Sequence, residues 1–319
     1  MFVIIQIPCY NEEAFLPDTL RELPRELPGI DSVEWLVVDD GSTDRTAEVA
    51  REYGADHVVQ HPQNLGLARA FTTGLSACIA RGADIIVNTD ADNQYYAADI
   101  AKLIEPIRRG RADLVVGARP IHDIAHFSQI KKFLERLGSW TVRKASLTQV
   151  ADAPSGFRAI SREAAMQLNV FSDYTYTLET IIQAGRKGLT VVSVPVRVND
   201  ITRPSRLIKS LPGYIGRSAA TIPRILMIYR PLYTFLFLGS VPFLVGFFIG
   251  LRFVVYYAIG QGGGKIQSLI LAALLMGLGF ILLVFALLAD LIGVNRQLLE
   301  KLDMRIQQVE ETFGTARRD

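Results

Sequence analysis

Two carboxylates separated by one small residue, Asp90-Ala91-Asp92, are the residues of this chain best suited to chemistry. They follow an apolar run, Ile85-Ile86-Val87, that is typical of a buried parallel strand. Because side chains alternate along an extended segment, both carboxylates project to one side, and the small Ala91 lets a bulky ligand come close. Such a pair can hold a hard divalent cation, which in turn binds a diphosphate. For this pair alone, an acidic turn without a ligand is the alternative.

Polar clusters also end two earlier predicted strands. Pro8-Cys9-Tyr10-Asn11-Glu12 follows the first strand, and Asp39-Asp40-Gly41-Ser42 follows the second. The carboxyl ends of parallel strands meet at one edge of an open α/β sheet, where ligands bind. Three such clusters predict one shared crevice. The chain has no GxGxxG after the first strand and no GxxxxGK[ST], so neither a dinucleotide site nor a P-loop is indicated.

Strand and helix patterns alternate through the first 200 residues, which predicts an α/β domain with a mostly parallel sheet. The predicted strands are Val3–Ile7, Trp35–Val38, His57–Val59, Asp84–Val87, Leu114–Val116 and Val191–Val196. The predicted helices are Thr43–Tyr53, Leu67–Arg81, Ala98–Arg109, Gln129–Ser146 and Thr177–Arg186. Ser42, Thr43 and Asp44 are expected to cap the first of these helices.

The bulk composition limits the class of protein. The chain has 319 residues, of which 50% are hydrophobic, and a net charge of +2. That length suits one enzyme domain with an added module, and the charge gives no reason to expect a nucleic-acid partner. Cys9 and Cys78 form no CxxC pair, so we expect a reducing compartment and no disulfide. The short apolar N-terminus predicts a strand and not a signal peptide.

The amino-acid composition changes after about residue 199, where cations and prolines are spaced among apolar residues. This is typical of amphipathic helices in a membrane interface, with a solvated basic face as the alternative. Two stretches without charge follow, Leu232–Leu251 and Leu269–Ala289, each about long enough to cross a bilayer. The predicted units are an α/β domain over 1–200, interface helices over 201–231, a transmembrane hairpin over 232–289 (spans of about 232–258 and 267–289) and an amphipathic helix over 290–319.

The distribution of cations predicts the topology. The loop between the two spans carries one cation, whereas both outer flanks carry many. The positive-inside rule therefore places the N-terminal domain and both termini in the cytoplasm, at a bacterial-type inner or plasma membrane. The amphipathic tail is expected to pack either on the cytoplasmic domain or on a partner subunit in a homo-oligomer.

In combination, these motifs resemble the family-2 glycosyltransferases of GT-A fold. More narrowly, the chain is similar to the polyprenyl-phosphate glycosyltransferases related to dolichol-phosphate mannose synthase, over nearly its whole length. The motifs are Pro8-x-Tyr10-Asn11-Glu12, Asp39-Asp40-x-Ser42-x-Asp44, Asn64-x-Gly66, Asp90-Ala91-Asp92-x-Gln94, Gly117-x-Arg119 and Ser155-Gly156-Phe157-Arg158. The resemblance implies a GT-A nucleotide-diphospho-sugar transferase domain.

The resemblance also implies roles for individual residues. The nucleotide pocket would be lined by Pro8, Tyr10, Glu12, Asp39 and Asp40. The donor and a Mg²⁺ or Mn²⁺ ion would be held by Asp90, Asp92 and Gln94, with Ala91 lying against the donor. All three metal candidates offer oxygen ligands, as a hard ion needs. Asp92 would be catalytic through the ion.

Basic residues are implied to meet phosphate groups. Arg119 suits this role because a guanidinium is planar and always charged. Arg136 either does the same or is a solvated helix cation. Arg203, Arg206 and Lys209 lie where the family keeps juxtamembrane cations that touch donor or lipid phosphate, and each is alternatively a membrane-surface cation.

Asp152 precedes the Ser155-Gly156-Phe157-Arg158 motif. In many family-2 enzymes an acid in this region is the general base for a sugar hydroxyl. A lipid phosphate is already ionised near neutral pH and needs little or no base. Asp152 would then position donor or acceptor, or cap the following turn.

The implied reaction is inverting transfer of a sugar from a nucleotide sugar to polyprenyl phosphate at the membrane lipid surface. UDP-glucose is the first candidate donor and GDP-mannose the second, because the motifs do not name the sugar. One alternative is a membrane-tethered glycosyltransferase acting on a glycan or glycolipid, for which Asp152 would be an indispensable base. Another is a non-catalytic nucleotide-sugar-binding membrane scaffold, which would be expected to have lost its metal residues.

Overall fold

A computed structural model of the chain describes residues 1–120, 148–170, 176–199, 230–260 and 266–315, with four isolated residues between them. These residues divide into two compact units, Met1–Ser218 and Ala219–Asp319. Nearly all of the predicted helix Gln129–Ser146 and of the predicted interface segment 201–231 lies outside the described residues.

A seven-stranded sheet in the order β3-β2-β1-β4-β6-β5-β7 forms the centre of the first unit. The strands are β1 Phe2–Cys9, β2 Ser32–Asp39, β3 His57–Gln60, β4 Ile85–Asn88, β5 Leu114–Ala118, β6 Arg158–Ser161 and β7 Val191–Pro195. Strand β1 pairs in parallel with β2 and β4, whereas β6 runs antiparallel between β4 and β5. The prediction of a mostly parallel sheet is confirmed.

Six helices accompany this sheet within the described residues. They are α1 Leu16–Glu22, α2 Thr46–Glu52, α3 Leu67–Ala80, α4 Ile100–Arg108, α5 Arg162–Gln167 and α6 Thr177–Arg186, with a 3₁₀ turn at Ala97–Asp99. Helix α2 begins three residues later than predicted, and in the preceding turn the N–H of Thr43 is donated to Asn11 Oδ1 at 2.8 Å. Asp44 still accepts the N–H of Thr46 at 3.0 Å, in keeping with its expected capping chemistry.

Three elements were not predicted from the sequence: α1, α5 and β6. Helix α1 is seven residues long with a proline at its start, and α5 has only six residues, so neither shows a full helical period. Strand β6 contains only two apolar residues, Ala159 and Ile160, between Arg158 and Ser161. All four of its residues are nevertheless buried, because β6 lies in the interior of the sheet.

The second unit consists of two long helices, α7 Pro231–Ala258 and α8 Ile266–Thr315. The apolar parts, Pro231–Ala258 and Ile266–Asn295, are long enough to cross a membrane, and most of their side chains are exposed. Phe237 and Leu274, for example, are 69% and 67% exposed. Such a surface suits lipid and not water. The predicted second span and the predicted tail helix form one continuous helix, α8.

Small residues let the two apolar helices approach closely. A Cβ at Gly239 would lie 2.9 Å from the carbonyl oxygen of Gly279, and one at Gly246 would lie 2.8 Å from that of Ala272. A Cβ at Gly279 would lie 2.6 Å from the backbone nitrogen of Phe243. These contacts have no room for a side chain, so glycine sets the interhelical distance.

Replacing Gly279 by alanine should therefore destabilise the hairpin. The added methyl group would meet backbone atoms and force the helices apart, at a cost of about 1–3 kcal/mol. Gly277→Ala is the matched control, because a Cβ there meets nothing within 4 Å. Unfolding of the detergent-solubilised protein, followed by circular dichroism, checks both variants. Equal stability of the two would contradict the packing described.

Candidate active site

The three predicted polar clusters lie around one point of the sheet. Strands β2, β1 and β4 are neighbours, and Cys9 at the end of β1 lies in register with Asp39 at the end of β2. Burial raises the pKa of the Cys9 thiol, and the nearby charges of Glu12, Asp39 and Asp90 raise it further. The carboxylates that follow β1, β2 and β4 thus converge at the point where β1 has β2 on one side and β4 on the other.

The first two clusters are joined by hydrogen bonds between their backbones and side chains. The N–H of Asn11 is donated to Ser42 Oγ at 2.9 Å, and the N–H of Glu12 to Thr46 Oγ1 at 2.8 Å. Asn11 has a φ of +54°, a left-handed conformation that asparagine tolerates better than most residues. The segment that carries Tyr10 and Glu12 is therefore held to the segment after β2.

Asp40 organises the loop that leads to α3. Its carboxylate accepts the backbone N–H groups of Leu65 and Gly66 at 2.9 and 2.8 Å. It also lies 2.7 Å from Nδ1 of His61, whose Nε2 is 2.9 Å from Thr73 Oγ1. Both oxygens of Asp40 are engaged within the chain, which favours a structural role over direct contact with a nucleotide.

Asp39 and Tyr10 are differently placed. Asp39 is buried and accepts the N–H of Ser42 at 3.0 Å and Gln60 Nε2 at 3.2 Å. Tyr10 is 41% exposed, so its ring can meet a flat ligand. Pro8 lies within β1, in register with Val38, and helps to set the strand end.

Asp90 follows β4 and lies in an environment that disfavours its charge. Burial raises the pKa of Asp90 to about 7, with repulsion from Asp92 as the next cause and attraction from Arg119 acting against both. Gly156 lies directly beside it, since a Cβ there would be 2.9 Å from Asp90 Oδ1. Two crowded carboxylates of this kind call for a positive charge between them.

The donor set of Asp90, Asp92 and Gln94 fits Mg²⁺ or Mn²⁺. All three offer oxygen, and Asp92 Oδ1 accepts the N–H of Gln94 at 3.3 Å, which makes a compact turn. Within the described residues, no group of three or more His, Cys, Asp or Glu is placed to hold a metal by itself. Other ligands must then come from water and a diphosphate, as is usual for Mg²⁺.

Arg119 and Asp152, predicted separately, form a pair. Arg119 donates Nε to Asp152 Oδ2 at 2.7 Å and Nη2 to Oδ1 at 3.0 Å, and its backbone N–H reaches Oδ2 at 3.2 Å. Asp152 is buried. A bidentate pair of this kind fixes the plane of the guanidinium. The carboxylate of Asp152 is used here and not in a side-chain cap of the following turn.

A buried polar scaffold that the sequence did not reveal supports this region. Asn88 Nδ2 donates to the Gly156 carbonyl and to the Tyr176 hydroxyl, both at 2.9 Å, and Asn88 Oδ1 accepts from Gln6 Nε2 at 2.9 Å. Asn88 is the last residue of the otherwise apolar strand β4. A polar residue at the end of an apolar run was the only feature of the sequence that could have indicated this scaffold. The scaffold fixes the loop that faces Asp90.

Arg158 holds the other side of the same loop. This arginine is fully buried, and it donates Nε to the Ser155 carbonyl and Nη2 to the Ala153 carbonyl, both at 2.8 Å. Burial lowers its pKa to about 10, which still leaves it charged near neutral pH. It is the last residue of the Ser155-Gly156-Phe157-Arg158 motif, and no role was predicted for it from the sequence. Four candidates lie outside the described residues: Arg136, Arg203, Arg206 and Lys209.

Open α/β sheets bind ligands outside the carboxyl ends of their strands where the strand order reverses, and here that point is β1, with β2 on one side and β4 on the other. The family described as Glycosyl transferase family 2 matches residues 4–168, which are 165 of the 319 residues. The chain belongs to this family and is a glycosyltransferase.

Relatives and solved structures support this assignment. An undecaprenyl-phosphate mannosyltransferase of Micrococcus luteus is 29% identical, covering 70% of this chain and 93% of the relative. A UDP-N-acetylglucosamine–dolichyl-phosphate N-acetylglucosaminyltransferase of Methanococcus voltae is 31% identical, covering 61% and 84%. Glucosyl-3-phosphoglycerate synthase of Mycobacterium tuberculosis, solved with Mn²⁺, UDP and glucosyl-3-phosphoglycerate, has a TM-score of 0.54 at 23% identity, covering 71% and 78%. The predicted GT-A fold is confirmed.

The raised pKa of Asp90 predicts that cation binding weakens in acid. A cation needs the ionised carboxylate, so its affinity is full above a pH of about 7 and falls by about tenfold per pH unit below it. Calorimetry of nucleoside diphosphate binding with Mn²⁺, at about pH 8 and about pH 6, measures this change. Asp90→Asn is the control for titration of the nucleotide itself. A wild-type dependence no steeper than that of Asp90→Asn would contradict the assignment.

Proposed function

We propose that this glycosyltransferase transfers a sugar, with inversion, from a nucleotide sugar to a polyprenyl phosphate. The main observation in support of this reaction is the acidic crevice of Asp39, Asp90 and Asp92. The same chain also has two helices that are apolar enough to cross a membrane. A membrane-embedded phosphate is an acceptor that such a chain can reach. Relatives named for transfer to undecaprenyl and dolichyl phosphate support this acceptor.

The nucleotide end of the donor is proposed to bind beside β1 and β2. Asp39 is a hydrogen-bond acceptor for base or ribose hydroxyls, and the exposed ring of Tyr10 offers a stacking surface. Glu12 is buried on the same side and its charge acts on Asp90. UDP-glucose is the first candidate donor and GDP-mannose the second.

The diphosphate is proposed to lie between the acidic turn and Arg119. Asp90, Asp92 and Gln94 would hold Mg²⁺ or Mn²⁺, which when bound supplies positive charge to the departing diphosphate. Arg119 adds a guanidinium whose plane is already fixed by Asp152, so little is lost in ordering it. The leaving group is thereby stabilised by groups that are in place before the reaction.

The acceptor phosphate oxygen is proposed to attack the anomeric carbon opposite the leaving diphosphate. This nucleophile is ionised near neutral pH and needs no proton removed. Asp152 then acts by positioning Arg119. A glycan or glycolipid acceptor would instead need a carboxylate that can accept the proton of its hydroxyl, whereas both oxygens of Asp152 already accept hydrogen bonds from Arg119. The contact between Asp152 and Arg119 therefore favours the lipid phosphate.

We further propose that α7 and the apolar part of α8 cross the membrane, with the crevice and both termini in the cytoplasm. Many cations lie before the first span and after the second span, and one lies in the loop between the two spans. A reporter fused after Asp319 should therefore give a cytoplasmic signal. A signal from the opposite side would refute this topology.

The direct test is a transfer assay on the purified full chain in detergent. Radiolabelled UDP-glucose, GDP-mannose and UDP-N-acetylglucosamine are each offered with polyprenyl phosphate and Mn²⁺ or Mg²⁺. We expect a lipid-linked sugar with one donor, its loss in EDTA, and a loss of about 10²-fold or more for Asp92→Asn. No product with any donor would refute the proposed acceptor, and full activity of Asp92→Asn would refute the metal assignment.

The role of Asp152 is separable by kinetics. If Asp152 positions Arg119, Asp152→Asn should lower kcat/KM for the donor by about tenfold, the cost of one weakened charge-assisted hydrogen bond. Arg119→Lys should do the same, and the double variant should be little worse, because both remove one interaction. A general base would instead lower kcat by about 10²–10⁴-fold with the donor KM unchanged.

A further inference from the structure

The turn that carries the candidate metal ligands continues into a segment paired with the residues that follow β7. Tyr95 forms an antiparallel bridge with Val198, and the N–H of Tyr96 is donated to the Arg197 carbonyl at 3.3 Å. The N–H of Asn199 is donated to the Gln94 carbonyl at 2.9 Å. Residues 94–96 and 197–199 thus form a short two-stranded pair directly behind the metal turn.

Asn199 also holds this turn through its side chain. Its Nδ2 donates to the backbone carbonyl of Asn93 at 3.0 Å and lies 3.3 Å from Asn93 Oδ1. Asn93 has a φ of +52°, a left-handed conformation that costs any residue other than glycine some free energy. Asn93 stands between Asp92 and Gln94, so its backbone conformation decides where both ligand side chains point.

An ion pair keeps Asn199 at this distance. Asp99 is fully buried and accepts the backbone N–H of Arg197 at 2.7 Å and its Nη2 at 2.6 Å. The Arg197 guanidinium also lies 3.9 Å from the centre of the Tyr96 ring. Burial opposes ionisation of Asp99, but hydrogen bonds from Arg197 and Lys102 outweigh it and bring the pKa of Asp99 to about 2. The carboxylate of Asp99 therefore stays charged near neutral pH, and its ion pair with Arg197 is kept.

We propose that Asn199 is a positioning residue for the cation site, acting through Asn93 and Gln94. Its amide holds the left-handed turn in the shape in which Asp92 Oδ1 accepts the backbone N–H of Gln94, and the Asp99–Arg197 pair keeps Asn199 in register. The inference rests on the proposed metal-assisted function but assigns a role outside the metal ligands. Asn199 would donate hydrogen bonds to the segment that carries the metal ligands and would not bind the ion itself. Loss of such a donor commonly changes the affinity for the metal by about 10–100-fold.

The test uses nucleoside diphosphate binding to the full chain in detergent, measured by calorimetry with Mn²⁺ and again with EDTA. The ratio of the two dissociation constants gives the gain in affinity that the metal supplies. UDP and GDP are both used. Asn199→Ala should reduce this gain by about tenfold and leave the affinity in EDTA unchanged. Arg197→Gln should show a loss in the same direction.

Arg109→Ala is the control, because Arg109 lies at the C-terminal end of α4 and forms an exposed ion pair with Glu105. It should leave the gain unchanged. An unchanged gain in Asn199→Ala would overturn the inference, as would equal losses in Mn²⁺ and in EDTA, which indicate a general structural role. A wild-type chain without any Mn²⁺-dependent gain would overturn it too.

The outcome is separable from that of the proposed function. If the wild type makes no lipid-linked sugar while Asn199→Ala still loses the Mn²⁺-dependent gain, the inference stands and the proposed acceptor fails. If the wild type transfers sugar and Asn199→Ala keeps the full gain, the function stands and the inference fails.

Discussion

Repulsion between carboxylates at one edge of a sheet is the constraint on which the rest of the site depends. Burial weakens the solvation of Asp90 and the charge of Asp92 repels it, and the pKa of Asp90 rises to about 7 as a result. Such an arrangement is costly for a folded chain unless a cation offsets it when the ligand binds. The fold keeps it because parallel strands of β1, β2 and β4 bring their ends together whether or not the resulting charges attract.

The surrounding polar groups are arranged so that the crowded carboxylates keep one geometry. Asn88 and Arg158 hold the loop of Gly156 from two sides by buried hydrogen bonds, and Asp152 holds Arg119. Buried polar groups are tolerated in a core only when their hydrogen bonds are made. The geometry of these charged groups is therefore set before any ligand binds, which is how an enzyme gains from electrostatics without reorganising during the reaction.

The two units of the chain have surfaces suited to different solvents. The first has an apolar core around residues such as Ile5, Ile7 and Val87, all fully buried. The second exposes most of its apolar side chains and packs its two helices through glycines, as expected where lipid removes the hydrophobic drive between helices. One chain thus combines a water-facing crevice with helices suited to lipid, which is the combination that a lipid-phosphate acceptor requires.

The sequence by itself determined the α/β class, the six apolar strands, the two long apolar helices and the acidic motifs, because periodicity and residue type are local properties. Only the tertiary structure decided that β6 enters the middle of the sheet, that Asp152 pairs with Arg119 and that Asp40 holds a loop. It also showed that Asn199 donates a hydrogen bond to the backbone of Asn93, 106 positions earlier in the chain. Pairings over such separations are set by the packing of the whole domain, and no local pattern records them.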